Sequence, residues 1–175
     1  MSEGDPMYHY KSWSGLNKRL SDFLCEPLKG RITYFFTRYH KVHDSYGRAA
    51  IRLDGKESVW FSWIELYRQE NDLHNLWKET GRWKPDDPDL QAKWEQNGTY
   101  CDMDFLHSAL SFIRMPFHEA IEHKDPIIRV LAVIDRRLGK RTLQRIHAEK
   151  KFVSYPQWVR QFYELRFAAE GICRE

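Results

Sequence analysis

Apolar residues at helical spacing predict one helix near the start of the chain, over residues 14–25. The apolar stripe consists of Leu16, Leu20, Phe23 and Leu24. Pro27 and Gly30 follow, and both are typical of a helix end. Residues 1–12 show no periodicity, so we expect a loose N-terminal arm there and a single domain over 13–175.

Three stretches with strand character come next. Residues 31–40 are rich in Thr, Tyr, Phe and Ile, residues 48–53 alternate between apolar and polar side chains, and residues 57–61 form the return strand. The pair Asp54-Gly55 between the last two stretches is typical of a hairpin turn. The sequence therefore predicts a small three-stranded antiparallel meander.

The length of the hairpin loop decides which side chains share a face. A two-residue Asp54-Gly55 loop would put Ile51 opposite Ser58. A loop of odd length, with Gly55 in the left-handed conformation, aligns Ile51 with Val59 instead. Because the buried face determines the register, we predict the odd loop with a glycine bulge.

The remainder of the chain has helical periodicity interrupted by prolines and glycines. Helices are predicted over 62–81, 87–94, 102–123 with a break at Pro116, 125–138, 141–148 and 155–170. We expect Asp102 or Asp104 to cap the third of these. The predicted fold class is α+β, with the meander preceded by one helix and followed by a helical array.

Composition places the chain among folded cytoplasmic proteins. It is 42% hydrophobic and 15% aromatic, and no apolar run approaches the ~18 residues of a membrane span. The polar start has no secretion signal, so we expect a cytoplasmic location and no contact with a membrane. Cys25, Cys101 and Cys173 are far apart and lack metal-type spacing, which indicates reduced thiols.

The histidines offer two candidate sites. His118 and His123 are five residues apart, whereas a helical zinc motif needs four, so we predict no metal there. His40 and His43, beside Asp44, could serve a hydrolase or nuclease reaction at a strand end. There is no glycine-rich phosphate loop and no nucleophile elbow, and we predict neither a metal nor a cofactor.

Charge is strongly uneven along the chain. Residues 124–151 contain 9 Lys and Arg against 3 Asp and Glu, a net charge of +6, and residues 86–122 carry a net charge of −6. The candidate binding residues of the basic stretch are Arg136, Arg137, Lys140, Arg141 and Arg145. These cations could cap a helix end, meet an acidic protein surface, or contact the phosphates of a nucleic acid. The secondary candidates are His40, His43 and, on the polar face of the sheet, Arg48, Arg52 and Trp60.

Three strings carry a resemblance to a known family. They are Trp-Ser-Gly-Leu-Asn-Lys-Arg-Leu at 13–20, Tyr-Gly-Arg-Ala-Ala-Ile-Arg-Leu-Asp-Gly-Lys-Glu at 46–57 and Asp-Arg-Arg-Leu-Gly-Lys-Arg-Thr-Leu at 135–143. Over residues 13–170 the chain resembles an uncharacterised family of short bacterial cytosolic proteins. The resemblance implies a bacterial, cytoplasmic, single-domain protein. The family has no assigned activity, so it implies no catalytic residues.

The function that these patterns favour is a non-enzymatic binding module for a macromolecular partner. Nucleic-acid binding through the basic residues 136–145 is the first alternative. A hydrolase or nuclease that uses the His40 and His43 region is the second. The spatial arrangement of the cations should distinguish these hypotheses.

Overall fold

A helix, a three-stranded sheet and a series of helices follow one another along the chain, which confirms the α+β prediction. The computed structural model describes residues 12–38, 47–62 and 100–172. Helix α1 (Trp13–Phe23) precedes strands β1 (Ile32–Arg38), β2 (Gly47–Leu53) and β3 (Lys56–Phe61). The described helices after the sheet are α2 (Asp102–Phe112), α3 (Phe117–Ala120), α4 (Pro126–Val133), α5 (Lys140–Glu149) and α6 (Gln157–Ala169). The helix predicted over 62–81 lies outside the described residues from residue 63 onward, and the helix predicted over 87–94 lies outside them entirely.

Helix α1 begins with a side-chain cap. The Oγ atom of Ser12 accepts a hydrogen bond from the Gly15 N–H at 3.2 Å, which satisfies one of the free donors of the first turn. The helix buries Leu16 and Leu20 as predicted. It ends at Phe23 rather than at residue 25, because Leu24 adopts an extended conformation and pairs with Asp135.

The hairpin between β2 and β3 corrects the predicted loop. Its loop has two residues, Asp54 and Gly55, with φ of 50° and 80°, and Leu53 lies opposite Lys56. Positive φ at both central residues is typical of a type I′ turn, whose twist matches that of the strands. The odd-length loop was therefore wrong, although Gly55 is left-handed as predicted.

The apolar face is restored by a bulge inside β3. The register shifts between Ile51 and Arg52, so that Ile51 lies opposite Val59 and Ser58 is the additional residue. A bulge of this kind changes the face of every residue beyond it. The predicted alignment of Ile51 with Val59 is thus confirmed, but the extra residue is in the strand and not in the loop.

The core lies between the sheet and the helices. Phe105 of α2 stacks on Phe61 of β3 with ring centroids 5.2 Å apart. The ring centroid of Tyr34 of β1 lies 6.5 Å from that of Phe105. Helix α2 packs on β2 and β3, α4 packs on α2, and α6 packs on α4. All three rings are buried, so the sheet has one face in the core and one face away from it.

Two of the later helix boundaries differ from the predictions. The N-cap of α2 is Cys101, whose Sγ atom accepts from the N–H of Asp104 while Oδ2 of Asp104 accepts from the Cys101 N–H at 2.8 Å. Neither Asp102 nor Asp104 is the cap itself. Helix α4 begins as predicted, since Asp125 caps it through the Ile127 N–H at 2.8 Å, but it ends at Val133 and not at Gly139.

Within the described ranges, none of the helices has the length and apolar character needed to cross a membrane.

Candidate functional site

The basic residues occupy a turn that joins α4 to α5 and is bound to the end of α1. We call this turn and the first residues of α5, residues 135–145, the basic corner. The N–H of Cys25 donates to the Ile134 carbonyl at 3.0 Å, and the N–H of Arg136 donates to the Phe23 carbonyl at 2.7 Å. These two bonds and the Leu24–Asp135 bridge fix the start of the corner against α1.

Arg137 is held by the carboxylate of Asp135. Nε of Arg137 lies 3.1 Å from both carboxylate oxygens, one Nη atom lies 2.7 Å from Oδ2, and the backbone N–H donates to Oδ1 at 2.7 Å. The side chain of Asp135 is fully buried, while that of Arg137 is 34% exposed. A bidentate pair of this kind is among the stronger polar contacts in proteins, so this arginine is a structural residue.

Three aromatic rings surround the same guanidinium group. Its central carbon lies 4.1 Å from the ring centroid of Phe23, 4.7 Å from that of Phe117 and 5.5 Å from that of Phe112. Each distance is within the ~6 Å range of a cation–π contact. Arg137 therefore connects the corner to α1, α2 and α3, which leaves it little capacity to bind a partner.

A buried arginine from the last helix supports the corner from inside. Arg166 of α6 donates to the carbonyls of Asp135 at 3.2 Å and Leu138 at 3.0 Å, and it pairs with Glu170 at 3.1 Å. Only 3% of its side chain is exposed. Its helical spacing with Val159 and Phe162 predicts a place on the same side of α6, but Arg166 is not among the candidate site residues that the charge pattern indicated.

The other four cations of the corner point into solvent. Arg136, Lys140, Arg141 and Arg145 are all exposed, and only Arg145 has an ion pair, with Glu149 at 3.9 Å. Within residues 12–38, 47–62 and 100–172, no acidic group pairs with the remaining three. In particular, none of the acidic residues 102–122 does so.

Two of the exposed cations lie at the beginning of a helix. Lys140 and Arg141 are the first two residues of α5, and the N-cap, Gly139, makes no side-chain hydrogen bond. Helix α4 has no basic residue in its last turn. Lys140 and Arg141 therefore do not cap α4, and their positive charge at the N-terminus of α5 opposes the dipole of that helix.

The secondary candidates on the sheet are engaged with one another. Both Nη atoms of Arg48 bind the carboxylate of Glu57, one of them at 3.0 Å, and Arg52 lies 3.3 Å from the same carboxylate. The guanidinium of Arg52 also covers the Phe35 ring at 4.4 Å. Trp60 is half-buried opposite Ala50 on the same face.

The histidine candidates divide into two groups. His40 and His43 lie outside the described residues. His118 is exposed beside Glu119, and Nδ1 of His123 accepts from the Asp125 N–H at 3.1 Å, so both have ordinary structural surroundings. Among the residues that the structure describes, no group of three or more His, Cys, Asp or Glu side chains could hold a metal ion.

The buried ionisable groups of α2 lie near the sheet. Burial raises the pKa of the Asp102 carboxyl, and nearby Arg38 opposes that shift. The space for this carboxyl exists because residue 47 is glycine, where a Cβ atom would lie 2.0 Å from Oδ2 of Asp102.

Burial also raises the pKa of the Cys101 thiol to about 12 and raises the pKa of the Cys25 thiol. Both thiols are therefore poor nucleophiles.

The described part of the chain thus defines an α+β protein whose rigid helix–turn–helix corner displays positive charge. The sequence profile of the SF0329 protein family matches residues 12–167, and the chain belongs to this family. The predicted membership in an uncharacterised family is confirmed. Searches of curated protein sequences and of solved structures returned no match.

Proposed function

We propose that the protein is a non-enzymatic binding module that engages an anionic macromolecular partner through the basic corner. The carrying observation is that Arg136, in the turn, and Lys140 and Arg141, at the uncapped start of α5, are exposed without an ion pair to any described residue. Only Lys140 and Arg141 lie at the positive end of the α5 dipole. Cations at this position disfavour the helix by about 0.3–1 kcal/mol each, so folding stability does not account for them.

An anion at this place would satisfy three features of the corner together. The first backbone N–H groups of α5 have no side-chain cap, the helix dipole is positive there, and the cationic side chains surround them. Phosphates and carboxylates are the anions that such an arrangement favours. The partner therefore carries clustered phosphate or carboxylate groups.

The corner is also preorganised for binding. The Asp135–Arg137 pair and the hydrogen bonds from Arg166 hold the turn in one conformation before any partner arrives. A rigid site loses less conformational entropy when it binds than a flexible one does. Arg137 therefore supports the binding residues instead of belonging to them.

Nucleic-acid binding is the second candidate, and the uncapped start of α5 favours it. Backbone N–H groups at a helix N-terminus, together with Lys and Arg, are common contacts to phosphates. The hydrolase or nuclease hypothesis depends on His40 and His43, and no contact among the described residues supports it. We further propose a bacterial cytosolic location, which the family resemblance and the free thiols of Cys25 and Cys101 support.

The test compares a corner variant with a variant of equal charge. Lys140→Ala/Arg141→Ala removes two exposed cations from the corner, and Lys56→Ala/Lys124→Ala removes two from the hairpin and from the other end of α4. Fluorescence anisotropy would measure binding to a 20-base-pair duplex and to poly-glutamate between 50 and 500 mM salt.

We expect wild-type binding that weakens with salt, at least a tenfold loss for the corner variant, and less than a threefold change for the control. For a duplex, the slope of the logarithm of the binding constant against the logarithm of the salt concentration should decrease by about two in the corner variant, because about two phosphate contacts are lost. Its unfolding free energy should be equal to or slightly above that of the wild type, because the lost charges oppose the α5 dipole. Absence of binding to both polyanions at 50 mM salt would overturn the proposal.

A further inference from the structure

A groove opens beside the basic corner, between α5 and α6. Its volume is about 1170 Å³. The rings of His147, Phe152 and Phe167 lie along it, with centroids 4.9 Å apart for His147 and Phe167 and 5.1 Å apart for Phe152 and Phe167. Val153 at its edge is 52% exposed, and it is the one large apolar side chain in the described ranges with that much exposure.

The groove is continuous with the exposed face of α5. Lys140, Gln144 and Ala148 follow one another at intervals of four residues, which places them on one side of the helix. Gln144 and Ala148 line the groove, while Lys140 belongs to the basic corner. Since a helix rises 1.5 Å per residue, the cationic end and the apolar end of this surface are about 12 Å apart.

The net charge of the groove lining is positive, as is that of the basic corner. Lys150 and Arg160 line it together with one acidic residue, Glu164, which pairs with Arg160 at 3.7 Å. Lys150 has a φ of 55°, a left-handed conformation that favours Gly or Asn. Lys150 has no ion pair with any described residue. It occupies a left-handed backbone position that Gly or Asn would adopt with less strain.

We propose that the groove and the basic corner together bind an amphipathic acidic segment of a partner protein. This inference rests on the proposed function and names the class of its partner. Acidic residues of the segment would meet Lys140 and Arg141, and apolar side chains one or two turns away would cover Val153 and Ala148, which are the exposed apolar residues beside the buried rings. A helix that places its apolar face in a groove is a common mode of peptide recognition.

The exposed part of the lining is aliphatic, which favours a peptide over a nucleic acid. Phe152 and Phe167 are 7% and 4% exposed, so they are too buried to stack with bases. A sugar–phosphate backbone contacts cations and N–H groups but gains little from an aliphatic edge such as Val153. An apolar side chain gains free energy in proportion to the apolar area that it removes from water. The combination of a cationic end and an apolar groove therefore matches a segment that carries both chemistries.

The experiment uses two synthetic helical peptides of 18 residues. The amphipathic peptide has Glu and Asp in its first two turns and Leu and Phe at every third or fourth position of the rest. The matched peptide has Ser in place of Leu and Phe, with the same charge. The protein variants are Val153→Asp in the groove, Ser154→Asp as its exposed neighbour outside the groove, and Lys140→Ala/Arg141→Ala in the corner.

We expect the amphipathic peptide to bind at least tenfold more tightly than the matched peptide. Val153→Asp should remove this difference, Ser154→Asp should keep it, and the corner variant should weaken both peptides. Equal binding of the two peptides, unaffected by Val153→Asp, would overturn the inference and leave the proposed function intact.

The other outcomes are also decisive. Binding to the duplex alone would overturn the inference and support the nucleic-acid candidate. A dimer in sedimentation that Val153→Asp dissociates would show that a second copy occupies the groove, and it would overturn the inference as well. Binding of neither the peptides nor the duplex at 50 mM salt would overturn the inference and the proposed function together.

Discussion

Replacement of Arg137 by alanine should destabilise the fold far more than replacement of its exposed neighbour Arg136. The substitution leaves the fully buried carboxylate of Asp135 without its charged partner. Loss of one member of a buried ion pair costs about 3–5 kcal/mol. Because one third of the Arg137 side chain is exposed, water can reach the carboxylate, and we reduce this figure to about 2–3 kcal/mol.

The three aromatic contacts of Arg137 add to this cost. Each cation–π contact at a partly exposed site contributes about 0.5 kcal/mol or more. We therefore expect Arg137→Ala to lower the unfolding free energy by about 3.5–4.5 kcal/mol. Arg137→Lys should lower the unfolding free energy by less than Arg137→Ala, because it retains the positive charge. It should still be destabilising, because lysine provides neither the bidentate geometry nor the stacking of arginine.

Urea denaturation followed by tryptophan fluorescence would measure these differences. Arg136→Ala is the matched control and should change the unfolding free energy by less than about 0.5 kcal/mol. Asp135→Asn in the Arg137→Ala background should be less harmful than in the wild type, because the unpaired buried charge is gone. Equal stability of Arg137→Ala and Arg136→Ala, or additive effects of the two changes at 135 and 137, would refute the reasoning.

Three further predictions concern the sheet, the start of α2 and the thiols. Gly55→Val should lower the unfolding free energy by at least about 1 kcal/mol, because a branched Cβ is strained at a φ of 80°; an unchanged urea midpoint would contradict the type I′ turn. Burial raises the pKa of Asp102, so its ionised form is disfavoured in the folded state, and stability should fall as pH rises above the unfolded value near 3.8. In urea melts from pH 3 to pH 7, the stability of Asp102→Asn relative to the wild type should therefore increase with pH, whereas a difference that stays constant over this range would show that the carboxyl does not titrate in this way. In a Cys173→Ser background, Cys25 and Cys101 should react with a thiol reagent only after unfolding, since both are buried; fast labelling of the native protein would disprove this.

The exposed cations also affect how such experiments are designed. A variant that combines Arg137→Ala with a change at Lys140 would mix a structural defect with a loss of surface charge. Only the exposed cations, Arg136, Lys140 and Arg141, can separate binding from stability. This distinction depends on the Asp135–Arg137 pair.

Much of the fold was determined locally, and the sequence was sufficient to predict it. Helix α1, the order of the strands and the start of α4 at Asp125-Pro126 all followed from apolar periodicity, turn residues and caps. These features depend on residues that are neighbours along the chain, and neighbours are what a sequence displays. Family membership also followed from the sequence alone.

The details that the sequence did not predict depend on which groups meet in space. The bulge at Ser58 arises because a favourable type I′ turn and a buried face demand different registers, and an extra residue in the strand reconciles them. Helix α4 stops at Val133 because the following residues pair with α1 instead of continuing the helix.

The basic corner shows the same division. Sequence alone located its five cations and their excess charge, since composition is a property of the chain itself. Only the tertiary structure assigned Arg137 to Asp135 and three rings, placed Arg166 beneath the turn, and left Lys140 and Arg141 exposed at the start of α5. The physical reason is that whether a charge can bind a partner depends on its burial and on its nearest counter-charge. The counter-charge of Arg137 is only two residues away, but the rings that surround the arginine and the Arg166 that supports the turn come from distant parts of the sequence.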